Sequence, residues 1–239
     1  MTDFLLTIAG FDPTGGAGIL RDIRTFNHFG FYGIAVITVN TAQNTKGVKA
    51  FRFEDGDLIL KQLELILEEI TVKGVKLGIP HIERKTNEKI AEIISDLCVP
   101  VVFDPVLSPT FGKVFIEEKE VVDPLISAST VITPNENEYK ILKSILEDFK
   151  GYIVLKGVKS GSYVEDQLIK NGEILSRVKH KRDNLVVRGT GCAFSSALLS
   201  LLAKGSSISE AFEKASKFLE LYRKEHFLKP GMFQGYSTV

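Results

Sequence analysis

Gly189-Thr190-Gly191-Cys192 stands immediately before an apolar run, Ala193 to Ala203, that reads as a helix. A helix start leaves backbone N–H groups without intrahelical partners, and the helix dipole places its positive end there. Such a junction suits an anion, a phosphate above all. Thr190 adds a hydroxyl beside that position. Cys192 opens the helix, where the same field is expected to lower a thiol pKa. A glycine turn before a helix is also ordinary loop chemistry, so the weight of this segment depends on its companions.

A second glycine-rich turn, Gly10-Phe11-Asp12-Pro13-Thr14-Gly15-Gly16-Ala17-Gly18, follows an apolar strand. A P-loop needs Lys where Gly16 stands and Ser or Thr where Ala17 stands, so this is not one. The dinucleotide pattern Gly-x-Gly-x-x-Gly does not fit either. The turn is either a tight strand-to-helix connection or a cradle whose backbone approaches a flat small molecule. Gln43, within the polar cluster Thr41 to Thr45, carries donors and an acceptor and suits the edge of a heterocycle. Asp104 ends an apolar strand before Pro105, and Asn135-x-x-Glu138 opens a helix. Asp104 and Glu138 are candidates for Mg2+, which takes one or two carboxylates beside phosphate oxygens. Asn135 and Glu138 read equally well as a helix N-cap and a first-turn charge. Lys156, followed by Gly157, either neutralises a phosphate or is a solvated surface lysine.

Cys98 lies in an apolar stretch and is expected to be a small buried residue. With only two cysteines, far apart, neither a disulfide framework nor a zinc site is expected, and a cytoplasmic setting is the default. His28, His81, His180 and His226 are scattered and read as structural or surface groups. Lys+Arg and Asp+Glu are both 30, which argues against nucleic acid as the main partner. No apolar run approaches a membrane span, and the first residues read as mature sequence. Residues 1–239 are expected to form a single domain, because no linker or low-complexity stretch interrupts them.

The elements that must position these residues alternate. Strands are predicted at Phe4–Ala9, Ile34–Val39, Gly74–Leu77, Val99–Phe103, Thr130–Ile132 and Tyr152–Leu155. Helices are predicted at Ile19–Phe29, Leu58–Ile70, Thr86–Leu97, Glu136–Leu146, Ala193–Ala203 and Ser209–His226, the last with a capping box from Ser207 to Glu210. Two short strands are predicted near Ser162–Val164 and Gln167–Lys170, joined by a tight turn. This order implies a three-layer α/β fold, a mostly parallel sheet with helices on both faces. Ligands bind outside the carboxyl ends of such strands. Gly10, Gln43, Asp104, Asn135 and Lys156 all fall there, so one active site is expected.

The ordered set Leu6-Thr7-Ile8-Ala9-Gly10, Gly15-Gly16-Ala17-Gly18-Ile19, Asp22, Thr41-Ala42-Gln43-Asn44-Thr45, Asp104-Pro105-Val106, Thr133-Pro134-Asn135-x-x-Glu138 and Gly189-Thr190-Gly191-Cys192 resembles the hydroxymethylpyrimidine/phosphomethylpyrimidine kinases of thiamine synthesis. These are a branch of the ribokinase-like superfamily, and the match runs nearly end to end. The resemblance implies a ribokinase-like fold and ATP-dependent phosphorylation of the pyrimidine hydroxymethyl group, then of its phosphate ester, with Mg2+. It implies a pyrimidine site at Gly10, Asp22, Gln43, Ile79 and Val106. It implies magnesium and nucleotide phosphates at Asp104, Asn135, Glu138 and Lys156. Gly189 and Gly191 would line the anion hole. Cys192 stands where most of the superfamily has an Asp base, and would orient or deprotonate the attacking hydroxyl. A homodimer is implied as well. The chain departs from the usual pattern at Phe11 (Ser), Ile79 (Met), Arg188 (His) and Ala193 (Thr). A pyridoxal/pyridoxine kinase of the same branch is the nearest alternative. A non-catalytic precursor-binding protein is the other, disfavoured by Asp104, Glu138, Lys156 and Cys192 together.

Overall fold

A computed structural model describes residues 3–109, 112, 114–181, 186–224, 227–228 and 235–237. His226, Thr110 and Phe111 lie outside the described residues.

Among the described residues, nine strands form one sheet in the order β3-β2-β1-β4-β5-β6-β7-β8-β9. They are β1 Phe4–Phe11, β2 Tyr32–Asn44, β3 Gly47–Phe53, β4 Val72–Leu77, β5 Val101–Phe103, β6 Val131–Ile132, β7 Tyr152–Ser160, β8 Tyr163–Lys170 and β9 Glu173–Lys181. The pairs from β2 through β7 are parallel. The flanking pairs β2–β3, β7–β8 and β8–β9 are antiparallel. Chain order reverses between β1 and β4, and a crevice opens at such a point at the carboxyl edge.

Side-chain alternation along the strands divides the apolar residues between two cores. Leu6, Ile8, Val101, Phe103, Ile132 and Ile153 face one side. There they meet α2 Gly56–Glu69, α3 Arg84–Ser95, α4 Asp123–Ser127 and α5 Glu136–Leu146. Leu5, Val102, Val131 and Val154 face the other side. There they meet α6 Thr190–Ala203 and α7 Ile208–Lys224, with Phe26 of α1 Gly18–His28 in the same core. Residues Ala193 through Leu201 are all buried, and this enclosed stretch holds only apolar residues and three hydrogen-bonded serines, Ser195, Ser196 and Ser200.

Several predicted boundaries need correction. The region read as two short strands is the single strand β8, reached from β7 through Gly161–Ser162 and left for β9 through Asn171–Gly172. Asn171 and Gly172 have φ of 50° and 79°, the positive pair that a two-residue hairpin turn requires. Both β2 and β7 run past their predicted ends, because hairpin partners extend the ladder beyond the parallel sheet. Helix α6 begins three residues early, so Thr190, Gly191 and Cys192 are inside its first turn. Cys98 is exposed, not buried, and sits at φ 51° in the turn after α3. The Ser207–Glu210 capping box forms, with Glu210 Oε2 accepting from the Ser207 N–H at 3.1 Å.

Candidate active site

A cavity of about 630 Å³ lies along the carboxyl edge of the parallel strands. Gly10, Gln43, Ile79, Val106, Asp104, Asn135, Glu138, Lys156, Gly189, Thr190, Gly191 and Cys192 all line it. Of the residues expected to form a site, Asp22 alone does not.

The N-terminus of α6 lines the cavity through Gly189, Thr190, Gly191 and Cys192. Gly189 is the N-cap of α6 at φ 68°, and no side chain caps the helix. A Cβ on Gly189 would stand 2.0 Å from the Gly16 carbonyl oxygen. The first glycine turn therefore packs on the helix start, and only glycine fits between them. A Cβ on Gly191 would come within 3.3 Å of Lys156 Nζ and 3.4 Å of Asp104 Oδ2. The opposite charges of the site thus sit against the open end of the helix.

Asp104 follows β5 directly and is buried. Lys156 stands in β7 at the irregularity between Leu155 and Val158, where its N–H donates to Pro134 O at 2.9 Å. Lys156 Nζ donates to Asp104 Oδ1 at 2.7 Å. Burial works against both charges. Lys156, with Lys76 behind it, nevertheless holds the Asp104 carboxyl below its usual range, and Asp104 and Glu138 hold the Lys156 ammonium above its own. The pair is an ion pair at neutral pH. Asn135 is the N-cap of α5, its side chain accepting from the Asn137 and Glu138 N–H groups. Glu138 Oε2 accepts from the Asn135 N–H at 2.9 Å, closing a capping box. Burial pushes the Glu138 carboxyl up to about 7; Lys156 opposes that and Asp104 adds to it. The N-cap reading of Asn135 is the one the structure shows, and Asn135 lines the cavity as well. Glu138 caps and lines the cavity at once.

Asp104 and Glu138 supply the hard oxygen donors that Mg2+ takes. Among the described residues no group of three or more His, Cys, Asp or Glu could hold a metal by itself. The pair fits an ion that keeps waters and shares phosphate oxygens, and does not fit a closed protein cage.

Asp22 lies beneath the cavity floor, fully buried. Its Oδ2 accepts from Lys76 Nζ at 2.8 Å and Thr7 Oγ1 at 2.7 Å, and its Oδ1 from Ser196 Oγ at 2.9 Å. Ser196 is one turn along α6 from Cys192. A substrate cannot touch Asp22 through that layer, so the expected direct contact is corrected to a supporting one. Lys76, which pairs with it, does line the cavity. Sequence reasoning passed over Lys76, although a lysine inside an apolar central strand is itself a signal.

The expected fall in the Cys192 pKa is also corrected. Burial pushes the thiol up to about 11; Lys76 pulls the other way, while Asp22 and Asp104 add to the rise. Desolvation is the largest cause, and it outweighs what Lys76 and the helix end offer a thiolate.

One end of the cavity is lined by both polar and apolar side chains. Gln43 Nε2 donates to Thr41 Oγ1 at 2.8 Å. Arg188 Nη2 donates to Gln43 Oε1 at 2.7 Å and to Asp12 Oδ2 at 2.8 Å. Ile79, Val106 and Phe115 face the same space. Thr38 Oγ1 donates to Ile79 O at 2.7 Å, tying the turn after β4 to β2. Sequence reasoning noted Arg188 only as a departure and did not single out Asp12. The other end of the cavity is lined by Val164, Asp166 and His180 of the β8–β9 hairpin and by Leu219 and Glu220 of α7. His180 Nδ1 lies 3.1 Å from Glu220 Oε1, and its Nε2 3.6 Å from Asp166 Oδ2.

Residues 12–236 match a protein-family model described as phosphomethylpyrimidine kinase. The chain is 35% identical to a hydroxymethylpyrimidine/phosphomethylpyrimidine kinase of Aquifex aeolicus, over 90% of this chain and 91% of that one. It is 32% identical to a bifunctional thiamine biosynthesis protein of Methanocaldococcus jannaschii, over 90% of this chain and 52% of that one. Its fold is similar to the ADP complex of Bacillus subtilis pyridoxal kinase, with a TM-score of 0.83 and 28% identity over 99% of this chain and 97% of the other.

Proposed function

The chain belongs to the phosphomethylpyrimidine kinase family, and from that premise we infer that it is a phosphotransferase of thiamine biosynthesis. It transfers the γ-phosphoryl group of ATP to the hydroxymethyl oxygen of hydroxymethylpyrimidine and/or to its monophosphate. The observation that carries the reading is the meeting of the Asp104–Lys156 ion pair with the uncapped N-terminus of α6 on one cavity wall. Phosphoryl transfer asks chiefly for positioning and neutralisation of charge, and this wall supplies both.

The substrate oxygen forms a bond to the γ-phosphorus as the bond to the β–γ bridging oxygen breaks, and ADP leaves with that electron pair. The N–H groups of Gly191 and Cys192, aimed from the helix start, stabilise the equatorial oxygens. Lys156 offsets the charge that builds on the leaving side. Asp104 and Glu138 would hold Mg2+ through its water shell. Such an ion, when bound, neutralises and aligns the β- and γ-phosphates. Cys192 is a neutral thiol at pH 7. It therefore serves the attacking hydroxyl as a hydrogen-bond partner, and the hydroxyl proton passes late to an oxygen of the transferred phosphoryl group, as a loose transition state allows. Gln43 meets the ring edge, with Gly10, Ile79 and Val106 around it. Val164, Val187 and Leu219 line the same cavity and would offer the nucleotide base apolar contact.

The test is ATP-dependent product formation from hydroxymethylpyrimidine, its monophosphate and pyridoxal, each with and without Mg2+. Turnover of a pyrimidine above pyridoxal is expected. Absence of any pyrimidine product, or preference for pyridoxal, overturns the reading.

A further inference from the structure

Arg188 enters the substrate end of the cavity from the segment just before α6, its side chain 9% exposed. Nη2 donates to Gln43 Oε1 and to Asp12 Oδ2, and Nη1 donates to the Asn44 backbone oxygen at 3.1 Å. Asp12 is itself fixed, its Oδ1 accepting from the Thr14 N–H at 2.9 Å and the Thr14 hydroxyl at 2.8 Å. The guanidinium is held on two segments of chain, the turn after β1 and the end of β2, and has little freedom to move.

A guanidinium has donors only. The Gln43 atom that faces it must be the carbonyl oxygen, so the amide NH2 falls on the opposite side. There Nε2 donates to Thr41 Oγ1, and the Thr41 hydroxyl proton is used on Phe11 O at 2.8 Å. Every hydrogen bond from Arg188 through Gln43 and Thr41 to Phe11 runs in one direction. Without Arg188 only the Thr41 hydroxyl would hold the amide, and that hydroxyl can turn away from Phe11 O to donate to the oxygen of a flipped amide.

We propose that Arg188 is the residue that positions Gln43 for substrate choice: it locks the amide in one orientation and so fixes the order in which the cavity wall offers an N–H donor and a carbonyl acceptor. Arg188 acts through Gln43 and does not touch the ring. A 4-aminopyrimidine carries an exocyclic N–H donor beside a ring-nitrogen acceptor, a pair that one amide order meets and the reversed order does not. A pyridine such as pyridoxal lacks that adjacent pair. The inference rests on Gln43 meeting the heterocycle, and it deepens the functional reading by naming what sets ring specificity.

The test reads the ratio of dissociation constants for pyridoxal and hydroxymethylpyrimidine by calorimetry, which does not depend on turnover. Arg188→Met frees the amide and is expected to lower the ratio about tenfold, the size of one hydrogen bond of ordinary strength, with ATP affinity unchanged. Arg188→Lys, again a donor only, is expected to keep the ratio within about threefold. In a Gln43→Ala background, adding Arg188→Met is expected to change the ratio no further, because the coupling passes through Gln43. A wild type without preference, an unchanged ratio in Arg188→Met, or an equal shift in the Gln43→Ala background overturns the proposal. Should Arg188→Met fail to fold, Arg188→Lys decides: a retained ratio supports the lock and a lost ratio overturns it. Failure of ATP-dependent turnover in the wild type counts against the functional reading alone.

Discussion

Cys192 and Lys76 show how burial and pairing decide the state of single residues. With its thiol pushed up to about 11, Cys192 is expected to react with iodoacetamide more slowly than a free cysteine at pH 8, the rate rising only as pH approaches 11. Reaction at the free-cysteine rate would show that the thiol pKa is not raised. As a hydrogen-bond partner it should contribute less than the ~10²–10⁴-fold of general-base help. Cys192→Ala is therefore expected to lower kcat by less than about 100-fold; a larger fall would restore the base role. Lys76 and Asp22 are both fully buried. Removing one partner strands the other's charge in the core, so Lys76→Met is expected to cost about 3–5 kcal/mol in urea unfolding. Adding Asp22→Asn should recover much of that loss. If Lys76→Met is as stable as the wild type, the pair has no structural role.

At the scale of elements, two junctions matter most. The α6 start is built by Gly189 in a left-handed conformation against the Gly16 carbonyl. Gly189→Ala adds about 1–3 kcal/mol of backbone strain and a backbone clash. It is expected to lower stability by at least that amount and to raise the KM for ATP; an unchanged KM would take the helix start out of the anion site. The second junction joins the β8–β9 hairpin to α7 through His180. The Asp166 carboxylate, 3.6 Å away, raises the His180 pKa, burial opposes it, and Glu220 adds to the rise. A histidine whose folded pKa is raised gives its full stabilisation below the unfolded value of about 6.5 and loses it as pH rises through the folded value. The Tm gap between wild type and His180→Gln is therefore expected to be larger at pH 6 than at pH 9. A gap independent of pH would mean that His180 contributes packing only.

At the scale of the molecule, one sheet separates two cores, and the cavity draws on strands that feed both. Neither core can unfold and leave the sheet intact. Unfolding in one cooperative step is expected if residues 1–239 are a single domain, as we propose. The chain has six tyrosines and no tryptophan, so near-ultraviolet tyrosine and far-ultraviolet backbone dichroism are the probes to compare. Transitions that do not coincide would divide the chain. ATP at about 100 times its dissociation constant should add about 2.7 kcal/mol, by linkage.

The sequence by itself determined the alternation of strands and helices, hence a parallel sheet and its ligand edge. It did so because buried strands and amphipathic helices carry different apolar periods. It also determined most of the cavity wall, because polar residues and glycines directly after apolar strands have few other places to be. The Asn171–Gly172 hairpin signal was equally present, yet the polar β8 and β9 lack the apolar run by which strands are usually read. Tertiary structure alone decided the rest. Asp22 is carried below the floor by α1, Lys76 is drawn to it from β4, and Arg188 reaches Gln43 across 145 positions of sequence. The Cys192 pKa depends on how much water and charge surround the thiol, and its place at a helix start points the wrong way. Contacts between distant segments and the solvation of buried charges are properties of packing, and no local pattern encodes them.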